Sequence, residues 1–446
     1  MINYILLKIL IIFSILSKFQ KYYNYYLELN KTYIKYQREL NLTFVNKIQR
    51  KMRIGIYTLC MKNGGRARIT SILIKLLYKI KIFNIYLFTV KNKEDNEYNF
   101  QKDIKRLIIK NKNLTKIFKS QIDILILQII NYEKIKFLNN NKKIKIIYYL
   151  HNSIFQIIYS NYTYINSLYK EFVKSKYIIS LIPFENDYLF KHWGINSFLM
   201  DNFINYNYNF IFPSNLLTKT ILMIGRGNDK NKRFEKGIMS MEYIIQHIEQ
   251  CELIIISKLN GIHKLIYLIN NLNLGNQIKI KGYKDNLELF FKNASLHFFP
   301  TITESFGLVL GETKIYGIPN ILLGLDYVSI VHNGTIIIYD DTPESLSKEA
   351  IKILLNKTLR ENLGKESRKS MIKYRNEFLI LKWIKIIISI YNDAPYYKEM
   401  QKMNIKISEK EGLLILNRQI KLLKLRNNFF KNLVLKDIEN CIFLKN

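Results

Sequence analysis

The sequence contains little cysteine, and this shortage limits what the chain can be. Its three cysteines, Cys60, Cys251 and Cys441, lie far apart and form no Cys-x-x-Cys pair. Neither a disulfide framework nor a cysteine-based zinc site is therefore expected. Apolar residues make up 48% and charged residues 23% of the 446 residues, which is enough for packed cores and excludes collagen-like and low-complexity classes. At about 100 to 200 residues per domain, the length predicts two full domains with additional segments.

Acidic residues are also scarce, since 35 Asp and Glu face 69 Lys and Arg and leave a net charge of +34. A clustered excess of this sign is typical of nucleic-acid-binding proteins. Here lysine is spread along the chain among many Ile, Asn, Tyr and Phe residues, whose codons are AT-rich. A biased genome composition is therefore the preferred explanation of the positive net charge, and we expect no specific nucleic-acid partner. A basic surface still favours anionic membranes and anionic substrates.

The N-terminus has no apolar run of membrane-spanning length. The segment from Tyr4 to Leu16 is interrupted by Lys8 and is shorter than the about 20 residues that cross a bilayer. No small-residue cleavage pattern follows it, which favours an uncleaved anchor or an interfacial helix over a removed signal peptide. A cytosolic helix is the alternative. We therefore expect membrane association through residues 4–16, and otherwise a cytoplasmic protein.

From residue 52 onward, short apolar runs alternate with stretches long enough for helices, as in parallel α/β sheets. Met52 to Leu59 predicts a buried strand, and Gly64 and Gly65 follow it before apolar residues at helical spacing. Further strands are predicted at 85–90, 122–129, 144–150, 220–225, 253–257, 278–281, 295–300, 320–323 and 335–339. A helix over about 365–391 is expected to close the second half.

The strand pattern loosens around residues 206–214, where we place a domain boundary. We predict two Rossmann-like domains, at 51–212 and 213–392, that face each other across a cleft. A hydrophobic helical segment at 1–50 precedes them, and a basic helical tail at 393–446 follows.

Two glutamates, Glu304 and Glu312, stand eight positions apart beside Ser305 and Gly307, at the expected start of a helix. With a rise of about 1.5 Å per residue, their carboxylates would lie roughly 10 to 12 Å apart. That distance matches the span from a sugar hydroxyl to a ribose across a diphosphate. The free N–H groups of the first helical turn would face the phosphates between them. Two surface glutamates on an ordinary helix are the alternative.

The segment from Phe299 to Pro319 resembles the Glu-x7-Glu signature of the family 4 retaining glycosyltransferases, which have the GT-B fold. Further matches follow in the family's order at Ile224-Gly-Arg, Lys281-Gly-Tyr, Asn333-Gly-Thr and Tyr339-Asp-Asp-Thr-Pro-Glu-Ser-Leu. The resemblance is strong from about 220 to 370 and is confined to 52–68 and a few later points in the first half. It implies a GT-B fold with an N-terminal acceptor domain and a C-terminal nucleotide-sugar domain.

The resemblance implies roles for individual residues of the second domain. Glu312 would bind the ribose hydroxyls, Glu304 the donor sugar, and Arg226 the diphosphate. Lys232 has the family's usual spacing after Arg226 and is the preferred phosphate lysine, whereas Lys236, which keeps a Lys-Gly pair, is the alternative. The predicted catalytic residues are Arg226, Lys232, Glu304 and His151, and the predicted donor-binding residues are Glu312, Gly307, Leu308, Ser305, Phe306, Gly64 and Gly65.

In the first domain, Gly64 and Gly65 resemble the glycines of the family's first loop. The family continues Gly-Gly-Ala-Glu-Arg, but this chain has Gly-Gly-Arg-Ala-Arg, so an acidic position has become Ala67 and the acceptor contact stays open. His151 ends a predicted strand at the edge where α/β ligands bind. It resembles the family's active-site histidine, and a structural histidine is the alternative.

No metal-binding pattern is present in the sequence. There is no Asp-x-Asp motif in the right context after a strand and no His/Cys cluster at ligand spacing. The resemblance implies a hexosyl- or N-acetylhexosaminyltransferase that uses a nucleotide-diphosphate sugar, needs no metal or cofactor, and acts with retention on a glycan or lipid-linked acceptor. The alternatives are a nucleotide-sugar epimerase and a basic membrane- or nucleic-acid-binding protein on a degenerate GT-B fold.

Overall fold

The computed structural model describes most of the chain from residue 50 to residue 424. The described residues are 50–62, 64–92, 97–109, 117, 119, 121–128, 138, 144–153, 155, 168–204, 211–259, 261–393, 407–408 and 410–424. The apolar run predicted at 4–16 lies outside them. Within this described part, none of the helices has both the length and the apolar character needed to cross a membrane.

The first domain is built on a seven-stranded parallel sheet with the strand order β3-β2-β1-β4-β5-β6-β7. Its strands are β1 (Met52–Thr58), β2 (Phe83–Thr89), β3 (Lys105–Ile108), β4 (Ile124–Leu127), β5 (Lys145–Tyr149), β6 (Tyr177–Ser180) and β7 (Phe198–Leu199), and its helices include α1 (Gly65–Tyr78) and α2 (Pro183–Trp193). Met52 pairs with Phe83 on one side of β1, and Ile54 pairs with Ile124 on the other. The winding reverses between β1 and β4, which is where open α/β sheets bind ligands.

The second domain contains a six-stranded parallel sheet in the order β10-β9-β8-β11-β12-β13. Its strands are β8 (Thr220–Ile224), β9 (Glu252–Ile256), β10 (Ile278–Lys281), β11 (Leu296–Phe299), β12 (Asn320–Leu323) and β13 (Thr335–Ile338). The helices are α3 (Phe234–Ile245), α4 (His263–Asn271), α5 (Glu288–Lys292), α6 (Leu308–Ile315), α7 (Pro343–Leu355), α8 (Lys357–Ser370) and α9 (Asn376–Tyr391). The winding again reverses beside the first strand, between β8 and β11. The predicted α/β fold with two Rossmann-like sheets is confirmed.

The strands are short apolar runs because helices cover both faces of each sheet. All four residues of β4, Ile-Leu-Ile-Leu, are buried. One buried apolar cluster joins the first sheet to α6 and α9, and a second lies between the second sheet and α3, α4 and α7. The first cluster therefore crosses the boundary between the domains.

The single helix predicted over 365–391 is wrong. Helix α8 ends at Ser370, a short 3-10 helix covers Met371–Tyr374, and α9 begins at Asn376. The break occurs at Arg375, whose extended backbone (ψ 140°) interrupts the helical hydrogen bonds.

Helix α9 does not close the second half as expected, because it packs on the first domain. Trp383 is fully buried, and its ring lies 5.1 Å from that of Tyr149, edge to face. Lys145 Nζ donates to the carbonyl oxygen of Ile390 at 2.8 Å. The chain thus returns to the first domain after completing the second.

Part of the predicted basic tail is a helix over 410–424. Ile415, Leu422 and Leu423 are buried, and Gln419 Nε2 donates to the carbonyl oxygen of Gly324 at 2.9 Å. This segment therefore packs against the loop that follows β12.

Candidate active site

A cleft of about 2070 Å³ lies between the two sheets. Both domains contribute loops from the carboxyl ends of their strands, together with the first turns of α1 and α6. All eleven predicted site residues line this cleft: Gly64, Gly65, His151, Arg226, Lys232, Glu304, Ser305, Phe306, Gly307, Leu308 and Glu312. The structure thus brings them together, while the roles assigned to them stay predictions.

Lys232 and Glu304 form an ion pair on the second-domain wall. Lys232 Nζ lies 2.9 Å from Glu304 Oε2 and 5.1 Å from the ring centroid of Phe299. Asn231 holds the two loops together, since its Nδ2 donates to the carbonyl oxygen of Thr303 at 2.8 Å and its Oδ1 accepts from Thr303 N–H at 3.1 Å. The loop after β8 and the loop after β11 are therefore fixed relative to each other.

Lys236, the alternative phosphate lysine, lies elsewhere. Its Nζ donates to the carbonyl oxygen of Asp341 at 2.8 Å and lies 3.4 Å from Asp341 Oδ1. Arg233 also pairs with Asp341, at 2.9 Å. Lys236 thus stabilises the segment before α7, and the geometry favours Lys232 as the cation that faces the cleft.

Arg226 follows β8 at the mouth of the cleft. Its guanidinium pairs with Asp229 at 2.6 Å, and its side chain is 73% exposed. An exposed arginine held by a neighbouring carboxylate can turn toward an anion in the cleft at small cost, because exposed ion pairs contribute little free energy.

Glu312 pairs with Arg68 across the cleft. The carboxylate lies on α6 and is 1% exposed, and Arg68 Nη2 from α1 contacts its Oε1. Within the described residues, no hydrogen-bond donor other than Arg68 reaches this carboxylate. Burial raises the pKa of Glu312, and the charge of Arg68 opposes that shift. Sequence reasoning missed Arg68, although it occupies the arginine position of the family's Gly-Gly-Ala-Glu-Arg pattern.

The expectation that Glu304 and Glu312 share one helix is wrong. Helix α6 begins only at Leu308, after Gly307 turns the chain with φ 82°. Such a positive φ strains any residue with a Cβ, so glycine is favoured at this helix start. Glu304 precedes the turn, and its backbone N–H donates to the hydroxyl of Tyr327 at 3.2 Å.

His151 follows β5 on the first-domain wall. Its carbonyl oxygen accepts a hydrogen bond from Ser305 Oγ at 2.8 Å, which joins the two domains. Burial, with a smaller contribution from the charge of Arg66, lowers the pKa of His151 to about 3. The ring is therefore neutral at pH 7, and its Nε2 is buried without a hydrogen-bond partner in the described part of the chain. A neutral imidazole can exchange a hydrogen bond with a sugar hydroxyl but contributes no charge.

Gly65 permits close approach of the two domains. A Cβ at this position would lie 2.8 Å from Leu308 Cδ1 of the opposite wall. Gly64 has φ 95°, which also favours glycine. The glycines bring the backbone of the first loop close to the second domain.

The structure shows no metal cluster among the residues it describes. No group of three or more His, Cys, Asp or Glu side chains there has an arrangement suited to a metal ion.

The second domain also matches a known protein family. Residues 207–370 match the model of the family described as Glycosyl transferases group 1. A 170-residue stretch is 25% identical to N-acetyl-alpha-D-glucosaminyl L-malate synthase from Bacillus anthracis, and it covers 37% of this chain and 44% of that enzyme. The chain thus spans less than half the length of this relative.

Solved structures that resemble this chain show the fold of both domains together. Sucrose-phosphate synthase from Thermosynechococcus elongatus aligns with a TM-score of 0.65 and 15% identity, over 77% of this chain and 100% of that one. Anabaena HepE in complex with UDP-glucose aligns with a TM-score of 0.62 and 13% identity, over 76% and 99%. The predicted GT-B fold is confirmed.

Proposed function

We propose that this chain is a retaining glycosyltransferase that moves a hexosyl or N-acetylhexosaminyl group from a nucleotide-diphosphate sugar to an acceptor hydroxyl. The observation that supports this best is the presence of Arg226, Lys232, Glu304 and Glu312 on one wall of the cleft, within a Glycosyl transferases group 1 domain. The structural neighbours include HepE bound to UDP-glucose and Staphylococcus aureus TarM bound to UDP, which favours a nucleotide sugar as donor.

In the proposed reaction, the bond between the anomeric carbon and the diphosphate oxygen breaks. A bond from the same carbon to the acceptor oxygen forms on the same face, and the hydroxyl proton passes to the leaving phosphate. The products are a glycoside and a nucleoside diphosphate. Lys232 and Arg226 would offset the charge that develops on the leaving diphosphate.

The two carboxylates and the histidine would position the substrates. Glu312 would accept hydrogen bonds from the ribose hydroxyls, and Glu304 would contact the donor sugar and orient Lys232. His151, neutral at pH 7 because burial lowers its pKa to about 3, would exchange a hydrogen bond with a sugar hydroxyl.

The reaction is proposed to need no metal, because Arg226 and Lys232 would offset the charge on the diphosphate that a metal ion could otherwise offset. The membrane association predicted through residues 4–16 belongs to this proposal and would favour a glycan or lipid-linked acceptor at a membrane surface.

The test is a transfer assay in EDTA with UDP-, GDP- and ADP-sugars and a panel of hydroxylated acceptors, both neutral and anionic. We expect one nucleoside diphosphate to be released together with a glycoside of the donor's anomeric configuration, as seen by the anomeric proton coupling. Glu304→Ala should abolish the transfer. Glu361→Ala, which removes the same charge from α8 outside the cleft, should not. An inverted product would refute retention, and release that requires a divalent ion would refute metal independence.

A further inference from the structure

Arg66 is a cation of the first-domain wall that has no matching negative charge. It is the second residue of α1, and its Nη2 donates to Asn152 Oδ1 at 3.2 Å. Its Nε is buried without a hydrogen-bond partner, and no carboxylate in the described part of the chain pairs with it. Arg66 is half-buried, and a guanidinium stays charged in proteins, so its partial burial without a counter-charge costs free energy that a bound anion would offset.

The other arginines of this wall differ from Arg66 because each faces a carboxylate. Arg68 pairs with Glu312, and Arg106 pairs with Glu97 at 2.5 Å. Lys102 is exposed at the same wall of the cleft. Arg66 and Lys102 therefore leave an excess of positive charge on the first-domain wall of the cleft.

Two further buried polar atoms of the same wall are unsatisfied. His151 Nε2 and Gln101 Oε1 have no hydrogen-bond partner among the residues that the structure describes, and both side chains line the cleft. Buried polar groups are normally hydrogen-bonded, and exceptions in a cleft are candidates for ligand contacts. His151 Nε2 can donate or accept a hydrogen bond, and Gln101 Oε1 can accept one. Together they suit a hydroxylated ligand that lies beside Arg66.

The donor does not need this cation. On the proposed function, the diphosphate lies against the second domain, where Arg226 and Lys232 meet its charge. The first loop also differs from the Gly-Gly-Ala-Glu-Arg pattern by the gain of Arg66 and the loss of an acid at Ala67. Both changes make the first-domain side of the cleft more positive.

We propose that the acceptor is an anion, with a carboxylate or phosphate group bound by Arg66 next to His151. This inference rests on the proposed function and names the acceptor class for that reaction. Lys102 raises the local concentration of such anions at the mouth of the cleft.

The experiment is calorimetric titration of the full chain, saturated with the nucleoside diphosphate whose sugar the chain binds (written UDP below), so that the diphosphate position is occupied. The probes are inorganic phosphate, L-malate, glycerol 3-phosphate and glycerol. We expect the anions to bind and glycerol not to bind. Arg66→Gln should weaken anion binding about tenfold or more, because a hydrogen-bonded charge pair is lost. Arg66→Lys should retain most of the affinity.

Lys75→Gln is the matched control, since it removes one positive charge from the same helix outside the cleft. It should bind anions and UDP as the wild type does. The phosphate and malate arms distinguish a phosphorylated acceptor from a carboxylic one.

Three results would overturn the inference. In the first, glycerol binds as tightly as the anions. In the second, Arg66→Gln binds the anions with unchanged affinity. In the third, Arg66→Gln loses as much affinity for UDP as it does for the anions. The last result would place Arg66 on the donor phosphates. A chain that binds no nucleotide would refute the proposed function instead, and the anion titration repeated without UDP would then decide the inference separately.

Discussion

Arg68→Gln removes the charge that faces Glu312 across the cleft. The side chain of Glu312 is 1% exposed and that of Arg68 is 21% exposed, so water screens the pair weakly. Loss of one partner from a buried ion pair costs about 3 to 5 kcal/mol, because the remaining charge has no compensation. Since Arg68 is partly exposed, we expect a decrease of about 2 to 3 kcal/mol in the free energy of unfolding at pH 8.

The effect of Arg68→Gln should depend on pH in a defined direction. Burial raises the pKa of the Glu312 carboxyl above its usual range, and the charge of Arg68 opposes this. Without Arg68, the folded state takes up a proton at Glu312 more readily than the unfolded state does. A carboxyl with a raised folded pKa favours folding most below its unfolded pKa, and this stability is lost as the pH rises through the folded pKa. The decrease should therefore be largest at pH 8 and smallest near pH 5.

Denaturant titrations at pH 5 and pH 8 measure this effect. The double variant Arg68→Gln/Glu312→Gln is the control, because it removes both charges and should recover much of the stability at pH 8. An Arg68→Gln variant that is as stable as the wild type at pH 8, or that loses the same stability at both pH values, would contradict the role given to this ion pair.

Three other variants test separate parts of the structure. Lys232→Ala should abolish sugar transfer, whereas Lys236→Ala should lower the melting temperature and keep transfer; activity assays and thermal melts distinguish the two. Burial raises the pKa of Glu185 to about 8, so Glu185→Gln should gain stability relative to the wild type as the pH rises from about 5 to 8, by up to about 4 kcal/mol at pH 8; an equal difference between the two chains at both pH values would contradict this. Gly334→Ala should destabilise the protein by about 2 kcal/mol or more, because a methyl there would overlap the backbone of α8 at a φ of 67°. Gly412→Ala, with nothing within 4 Å of the added methyl and a helical backbone, should be neutral or more stable by up to about 1 kcal/mol in the same denaturant titration.

The alternation of buried runs and helical patterns was sufficient to predict two parallel sheets, but not every strand. Strand β3 was missed because its residues Lys105–Ile108 are exposed or half-buried at the edge of the sheet, and an edge strand needs no apolar run. Strand β7 has two residues and is too short for any alternation of apolar and polar residues to be recognised. Strand β6 is a four-residue run, too short to tell from a helix segment.

The site residues could be predicted because the motifs that carry them resemble those of a known glycosyltransferase family. Most of these motifs follow strands, and parallel strands place their carboxyl ends at one edge of each sheet. The contacts across the cleft could not be predicted. The pairing of Arg68 with Glu312, and of Lys145 with the end of α9, depends on how the two domains meet. No local sequence period determines that arrangement, because it follows from packing between residues distant in the chain.

The most direct test of the central claim is donor binding. UDP-, GDP- and ADP-sugars would be titrated in EDTA into the wild-type chain and into Glu312→Ala, with the melting temperature of each recorded. We predict that one donor binds to the wild type and that Glu312→Ala loses this binding while it remains folded. Absence of binding by every donor, or an unchanged affinity in Glu312→Ala, would contradict the assignment of this cleft to a nucleotide sugar.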